Sequence, residues 1–265
     1  MPSDKKYTVL RIFLKYLHYY INSNNAHGVH SPFVFSLYRN IIRNEWPNSD
    51  FREIEMIRQS LRVAKENHPC EFASKNQNGL NSRSISNLAI KSGIKPRYGS
   101  LLYRLISYFK PDLILEIGTS LGLSSMYIGK ANSFVQFITL EGCKQCAEMA
   151  EQNFRNAKLD SVEVISGEFS STLPIALNRL GKLDFAFIDG NHKKTAVIEY
   201  YEQILPFVHT ETMLIFDDIH WSGGMEEAWE LIRNDCRVKV TIDLFFLGIV
   251  FFKDNQAKEN FILRF

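Results

Sequence analysis

The sequence predicts an α/β fold, a mostly parallel sheet flanked by helices from about residue 96 onward, preceded by a helical N-terminal segment. Three features carry that reading. Short β-like runs alternate with longer helical ones at Leu113–Ile117, Val135–Leu140, Val162–Ser166, Phe185–Asp189 and Met213–Asp217. The intervening segments are long enough for crossover helices, which parallel strands require. Two further runs, Val238–Ile242 and Ile249–Phe252, are separated only by residues 243–248, a spacing that suits an antiparallel hairpin.

The elements before the sheet read as helices. Leu10, Phe13, Leu14, Leu17 and Ile21 fall on one helical stripe, with Arg11, Lys15 and His18 on another. Residues 22–28 break the pattern. Ser31-Pro32 then reads as an N-cap followed by the first residue of a helix reaching Ile42. Trp46-Pro47-Asn48-Ser49 closes that unit, and Ser49 or Asp50 can cap a third helix carrying Phe51, Ile54, Ile57 and Leu61. Residues 66–84, polar and rich in Asn and Ser, read as a loop. Tyr98 to Phe109 forms a further amphipathic helix that Pro111 stops. The division expected is an accessory helical cap over residues 1–95 and a sheet domain over residues 96–265.

Of 265 residues, 45% are apolar and 23% charged, enough to bury a core in water. No apolar run reaches the roughly 18 residues of a membrane span. Four cysteines in a chain of this length do not make a disulfide framework, so a reducing cytoplasm is expected. The net charge of +2 conceals a split: residues 1–110 hold 17 Lys and Arg against 7 Asp and Glu, residues 111–265 hold 14 against 22. A basic segment beside an acidic one either packs against it or serves an anionic partner.

The first β-like run ends in Glu116-Ile117-Gly118-Thr119-Ser120-Leu121-Gly122. Glycines there allow a tight turn and close approach of a ligand to the backbone, and the helix that follows offers free N–H groups. A pyrophosphate would call for G-x-G-x-x-G. The spacing here is G-x-x-x-G after a carboxylate, which suits a zwitterionic amino acid, with Glu116 ordering the loop or meeting an ammonium. Glu141 ends the second run 19 residues past Gly122, where a carboxylate can accept ribose hydroxyls. Gly167-Glu168 follows the third run, placed to meet a base edge. Ligands of open α/β sheets bind at such strand ends.

With these motifs in order, residues 96–265 resemble the class I S-adenosylmethionine-dependent methyltransferases, in the small-molecule O-methyltransferase branch that includes catechol O-methyltransferase. The resemblance implies a Rossmann-like seven-stranded sheet in the order 3-2-1-4-5-7-6, with strand 7 antiparallel. It implies cofactor contacts at Glu116, Gly118, Thr119, Ser120, Gly122, Glu141, Gly167, Glu168 and Asp189. After the fourth and fifth runs stand Asp189-Gly190-Asn191-His192 and Asp217-Asp218-Ile219-His220-Trp221. The family places magnesium at positions matching Asp189, Asp217 and Asp218, with Asp here in place of an Asn. A Mg2+ or another divalent cation is thus one expectation, and three carboxylates suit a hard ion. His192 stands where the family has a catalytic lysine, and a neutral imidazole can take a proton near pH 7. The alternatives are that Asp189 only orders the cofactor and that Asp217-Asp218 cap the next helix. His220 and Trp221 are expected to line the substrate pocket.

The expected activity is methyl transfer to a hydroxyl of a small molecule, which the basic segment allows to be anionic, in a monomer or a homodimer. Arg83, Lys91, Lys95 and Arg97 are the basic residues nearest the join of the two segments. A nucleic-acid methyltransferase is the rival that the basic segment favours, yet the Asn/Asp-Pro-Pro-aromatic motif of amino-group methylases is absent, so no nucleic-acid partner is expected. A non-catalytic S-adenosylmethionine-binding or membrane-surface module, using the helix over residues 10–21, is the other rival. Cys143-Lys-Gln-Cys146 lacks a second pair to complete a zinc site and reads as structural.

Overall fold

A computed structural model describes residues 4–25, 28–44, 51–65, 67–69, 82–91, 93–132 and 135–265. The closing segment Trp46–Ser49, the Ser49 or Asp50 cap and most of the 66–84 loop lie outside them.

In chain order the elements are helices α1 (Val9–Asn22), α2 (Pro32–Leu37) and α3 (Arg52–Val63); strands β1 (Asn67–Pro69) and β2 (Ser82–Ser84); helices α4 (Ile85–Lys91) and α5 (Pro96–Phe109); then β3 (Leu113–Ile117), α6 (Leu123–Ala131), β4 (Gln136–Glu141), α7 (Lys144–Asn156), β5 (Val162–Ser166), α8 (Phe169–Leu180), β6 (Leu183–Ile188), α9 (Lys194–Ile204), β7 (Val208–Asp217), α10 (Gly223–Asn234), β8 (Val240–Asp243), β9 (Leu247–Phe251) and β10 (Glu259–Ile262). The main sheet runs β10-β8-β9-β7-β6-β3-β4-β5, with β9 antiparallel to both neighbours. Its first seven strands in sequence follow the expected order and the expected hairpin. The eighth, β10, is an addition: it pairs parallel with β8. Glu-Asn-Phe-Ile is too short and too polar to announce a strand by pattern.

Two compact units divide the chain, one of residues 1–44 and 177–265, the other of residues 45–176. In the second, β3, β4 and β5 pair in parallel register, Ile117 beside Leu140 and Glu141 beside Ser166. Ile114, Leu115, Ile117, Ile138 and Leu140 are wholly buried, as parallel strands covered on both faces require. Phe51 just before α3, Ile54 and Leu61 of α3, and Ile85 and Leu88 of α4 share a core with Tyr127, Ala150 and Phe154. Cys143 and Cys146 belong to that core, buried and unbridged, which bears out their structural role. Helix α5 opens on Pro96 and closes with Lys110 in the left-handed region, at φ 49°, before Pro111 forbids continuation.

In the other unit, β6 and β7 pair in parallel, Ile188 beside Phe216. Ser31 caps α2 as its position before Pro32 predicts, its Oγ accepting from the Val34 N–H at 3.5 Å. The run to Ile42 is not one α-helix, however: residues Tyr38–Ile42 widen into a π turn. Helix α1 docks on this unit through Tyr16 and Tyr19, whose rings lie 5.1 and 5.3 Å from that of Phe245. The segment taken as a loop also differs, since Asn67–Pro69 and Ser82–Ser84 form a small antiparallel sheet and α4 follows at once.

Candidate active site

In the unit of residues 45–176 the site is a turn held by hydrogen bonds. Between β3 and α6 the backbone takes left-handed conformations at Gly118 (φ 104°), Ser120 (φ 51°) and Gly122 (φ 80°). A Cβ at Gly122 would meet Phe154 Cε1 at 2.5 Å, so both the backbone and the neighbour demand glycine. The N–H groups of Gly118 and Thr119 both donate to the Leu140 carbonyl, at 2.9 and 3.0 Å. That of Ser120 donates to Glu141 Oε2 at 2.7 Å, and the Cys143 N–H to Glu141 Oε1 at 2.8 Å. Three N–H groups of the turn are thus used within the protein, pinning it to β4. What the turn offers a ligand is close approach to backbone, beside a carboxylate fixed at both oxygens. Gly167 joins the same edge, its N–H donating to the Glu141 carbonyl at 2.9 Å, and Glu168 follows as the residue whose carbonyl accepts from Ser171 and Thr172 in α8.

Glu116 is fully buried. The Thr119 and Thr139 hydroxyls are 2.6 Å apart, the Thr139 hydroxyl donates to Glu116 Oε2 at 2.6 Å, and the Ser125 hydroxyl donates to the same oxygen. Burial pushes the Glu116 carboxyl up to about 7, against the lowering effect of the Ser124, Ser125 and Thr139 hydroxyls. These bonds tie Glu116 to β4 and α6 through one oxygen, while Oε1 is buried with no hydrogen-bond partner. Asn153, on α7 and buried, donates to the Leu121 carbonyl at 2.9 Å. Ser125, Thr139 and Asn153 carry no motif, so sequence reasoning passed over them.

The other unit brings together side chains rather than backbone. Parallel pairing sets Asp189 and Asp217 at neighbouring strand ends. His192 Nε2 lies 3.4 Å from Asp189 Oδ1, and the His192 ring is 5.9 Å from that of Trp221. Burial, then the adjoining Asp189 and Asp218 carboxylates, hold the Asp217 carboxyl well above its usual range, although His192 opposes this. Among the described residues no group of three or more His, Cys, Asp or Glu side chains is arranged to hold a metal ion. Among the described residues Asp189, Asp217 and Asp218 are not arranged as such a group. Nor do Asp217 and Asp218 cap the next helix: Ser222 caps α10, its Oγ accepting from the Met225 N–H at 3.2 Å, while Asp218 turns the chain at φ 52°.

His220 is held on both ring nitrogens, Nδ1 at 3.0 Å from Glu226 Oε1 and Nε2 at 2.9 Å from Asp243 Oδ2, and it stacks on Phe245. Burial alone would lower its pKa, but the bonds to Asp243 and Glu226 and their charges raise it to about 9. Glu226 also accepts from the Tyr7 hydroxyl and the Lys15 ammonium, both at 2.9 Å. The N-terminal strand segment crosses here: Lys6 bridges Ser222, the Tyr7 N–H donates to the Trp221 carbonyl at 3.0 Å, and the Lys6 ammonium sits 3.6 Å above the Trp221 ring. Of the basic residues expected near an anion, Lys91 ends α4, Lys95 precedes α5 and Arg97 lies in its first turn; the side chain of Arg83 falls outside those described. Lys6 was not foreseen.

Comparison with known proteins follows the same edge of the sheet. Residues 115–219 match the family described as a methyltransferase domain. The chain is 29% identical over 133 residues to a catechol O-methyltransferase of Niastella koreensis, covering 49% of this chain and 59% of that one. It is 27% identical over 131 residues to O-methyltransferase imqG of Aspergillus flavus, covering 47% and 52%. It thus spans little more than half the length of these curated relatives. Among solved structures, the O-methyltransferase of Bacillus cereus in complex with S-adenosylhomocysteine superposes with a TM-score of 0.55 at 21% identity, over 82% of this chain and 95% of that one. The resemblance to O-methyltransferases and the Rossmann-like methyltransferase fold are both borne out.

Proposed function

We propose that this chain is an S-adenosylmethionine-dependent methyltransferase that methylates a hydroxyl oxygen of a small molecule. The observation that carries the reading is the pinned β3–α6 turn with the Glu141 carboxylate fixed at its edge by the Ser120 and Cys143 N–H groups. Gly118, Thr119, Ser120 and Gly122 would bear the amino-acid end of the cofactor, Glu141 the ribose hydroxyls, and Gly167 and Glu168 the adenine edge. When bound, S-adenosylmethionine supplies a methyl group on a sulfonium, and transfer leaves the neutral thioether S-adenosylhomocysteine.

His192 removes the acceptor proton in this reading. The Asp189 carboxylate at its Nε2 favours the tautomer with the proton on that nitrogen and leaves Nδ1 as the basic one. His192 would keep that proton, leaving the acceptor oxygen free to take the methyl group. Trp221 supplies an apolar wall, and His220, clamped by Glu226 and Asp243, holds that wall's segment in place. Lys6 above the Trp221 ring supports an anionic acceptor, such as a phenol bearing a carboxylate.

Calorimetry with S-adenosylmethionine, followed by turnover on a panel of hydroxyl compounds with and without a carboxylate, tests the reading. Binding in the micromolar range, about −8 kcal/mol, and product formation are expected. Heat with NAD but none with S-adenosylmethionine would overturn it.

A further inference from the structure

Helix α1 presents an apolar face that nothing in its own unit covers. Val9, Leu10, Phe13, Leu14, Leu17 and Ile21 are 84, 68, 55, 56, 40 and 77% exposed, and all but Val9 fall on a single helical stripe. A contiguous apolar face on the order of several hundred Å² marks an interaction site more often than a bare surface. The helix cannot roll to hide it. Its inner side is fixed by the Tyr16 and Tyr19 contacts with Phe245, the Tyr19 hydroxyl bonded to the Leu263 carbonyl, and the Lys15–Glu226 ion pair at 2.8 Å.

Charge identifies what covers it. Residues 5–44 contain six Lys and Arg and not one Asp or Glu; Arg11 beside the apolar stripe and Lys5 ahead of the helix are both exposed. Pairing α1 with the same helix of a second copy would set two acid-free segments against each other. A surface of anionic lipid headgroups opposes each cation with a negative charge and offers acyl chains to the apolar stripe. At 14 residues α1 is about 21 Å long, short of the roughly 30 Å of a bilayer's hydrocarbon, and among the described residues no helix is long and apolar enough to cross one. The geometry fits a helix lying in the plane of the interface. We propose that α1 seats this chain on an anionic lipid bilayer, with Phe13, Leu14 and Leu17 in the headgroup–acyl boundary and Lys5 and Arg11 among the headgroups.

Co-sedimentation of the full chain with phosphatidylcholine vesicles, with and without about one-third phosphatidylserine, tests this. Binding to the mixed vesicles at least ~10-fold tighter than to neutral ones is expected, weakening between about 0.1 M and 1 M salt as screening shortens. Leu14→Glu and, at the far end of the stripe, Ile21→Glu should each cut binding about tenfold or more. Both positions are exposed, so the thermal midpoint and the affinity for S-adenosylmethionine should stay at wild-type values, which separates this result from any failure of the cofactor reading. Absence of binding to the mixed vesicles overturns the proposal, as does binding that both variants leave intact. Sedimentation equilibrium showing a dimer that Leu14→Glu dissociates, with no vesicle binding, would assign the face to a second copy and overturn it equally.

Discussion

The two units of this chain build their halves of the chemistry from different materials. In residues 45–176 the proposed cofactor turn is backbone: three left-handed residues in five, pinned to the Leu140 carbonyl and to one carboxylate. In the other unit it is side chains: an aspartate whose carboxyl is raised by burial and by two neighbouring aspartates, a histidine beside one of them, and a second histidine locked between two acids. Backbone conformation tolerates few residue types, so the first half is sensitive to shape. Charged groups tolerate few changes of protonation, so the second is sensitive to pH. Mutations in the two regions should therefore fail in different ways, one through affinity and the other through rate and pH dependence.

The largest effect is expected at His192. If it is the base, His192→Ala should lower kcat by about 10²–10⁴-fold while the S-adenosylmethionine affinity measured by calorimetry stays unchanged. A matching loss of affinity would show that the two halves do not divide their labour in this way.

Next comes the His220 clamp, where pH is the probe. Its pKa is raised in the folded state, from 6.5 to about 9, so its stabilising contribution is complete below pH 6.5 and is lost as pH rises through 9. The displacement corresponds to about 3 kcal/mol as an upper figure. Glu226 runs the opposite way: depressed to about 2 despite burial, by its bonds to His220, Lys15 and Tyr7, it contributes above pH 4.5 and is lost as pH falls through 2. Thermal midpoints recorded from pH 6 to pH 10 should decline in the wild type and decline less in His220→Gln. Parallel curves for the two proteins would remove the clamp's charge from the account.

How much of this was readable beforehand follows the same division. The turn was legible because glycine is where a left-handed backbone leaves its mark, and Gly118 and Gly122 stand at the spacing the turn needs. Glu141 was legible from its distance to that turn. The hydroxyls of Ser125 and Thr139 and the amide of Asn153 were not, because buried polar partners are chosen by tertiary contact and follow no period. The His220 network was less legible still, since Tyr7 and Glu226 are 219 positions apart. In the fold, strands such as Leu113–Ile117 and Val162–Ser166 were found to the residue, while β10 and α4 were missed. β10 is only four residues long and opens on two polar ones, and α4, only seven residues long, shows hardly two turns of periodicity.

A smaller, purely steric effect is expected at Gly122. Gly122→Ala sets a Cβ at φ 80° against the Phe154 ring, a strain of about 1–3 kcal/mol. The turn can shift to relieve part of it, and the cofactor affinity should fall by roughly 10–100-fold with kcat at saturation little changed. Restoring affinity with the double variant Gly122→Ala, Phe154→Leu would sharpen the assignment, because it returns space without returning conformational freedom.

The mildest change to the first half is also the most discriminating, because it alters one atom. Glu141→Gln keeps length and volume, yet the wild-type carboxylate accepts a backbone N–H at each oxygen, from Cys143 at 2.8 Å and Ser120 at 2.7 Å. A glutamine amide has one acceptor and one donor group. Whichever way it turns, its NH₂ confronts one of those two N–H groups, so one bond is replaced by a donor–donor contact and a buried amide loses its partner. The ribose hydroxyls also lose a charged acceptor. An affinity for S-adenosylmethionine about tenfold weaker is expected, with Glu141→Ala at least as weak, since alanine removes both bonds and every side-chain acceptor for the ribose hydroxyls. Calorimetry on both variants separates the causes. Should Glu141→Gln bind as tightly as the wild type, neither the fixed carboxylate nor its charge holds the cofactor, and the turn alone would have to account for binding.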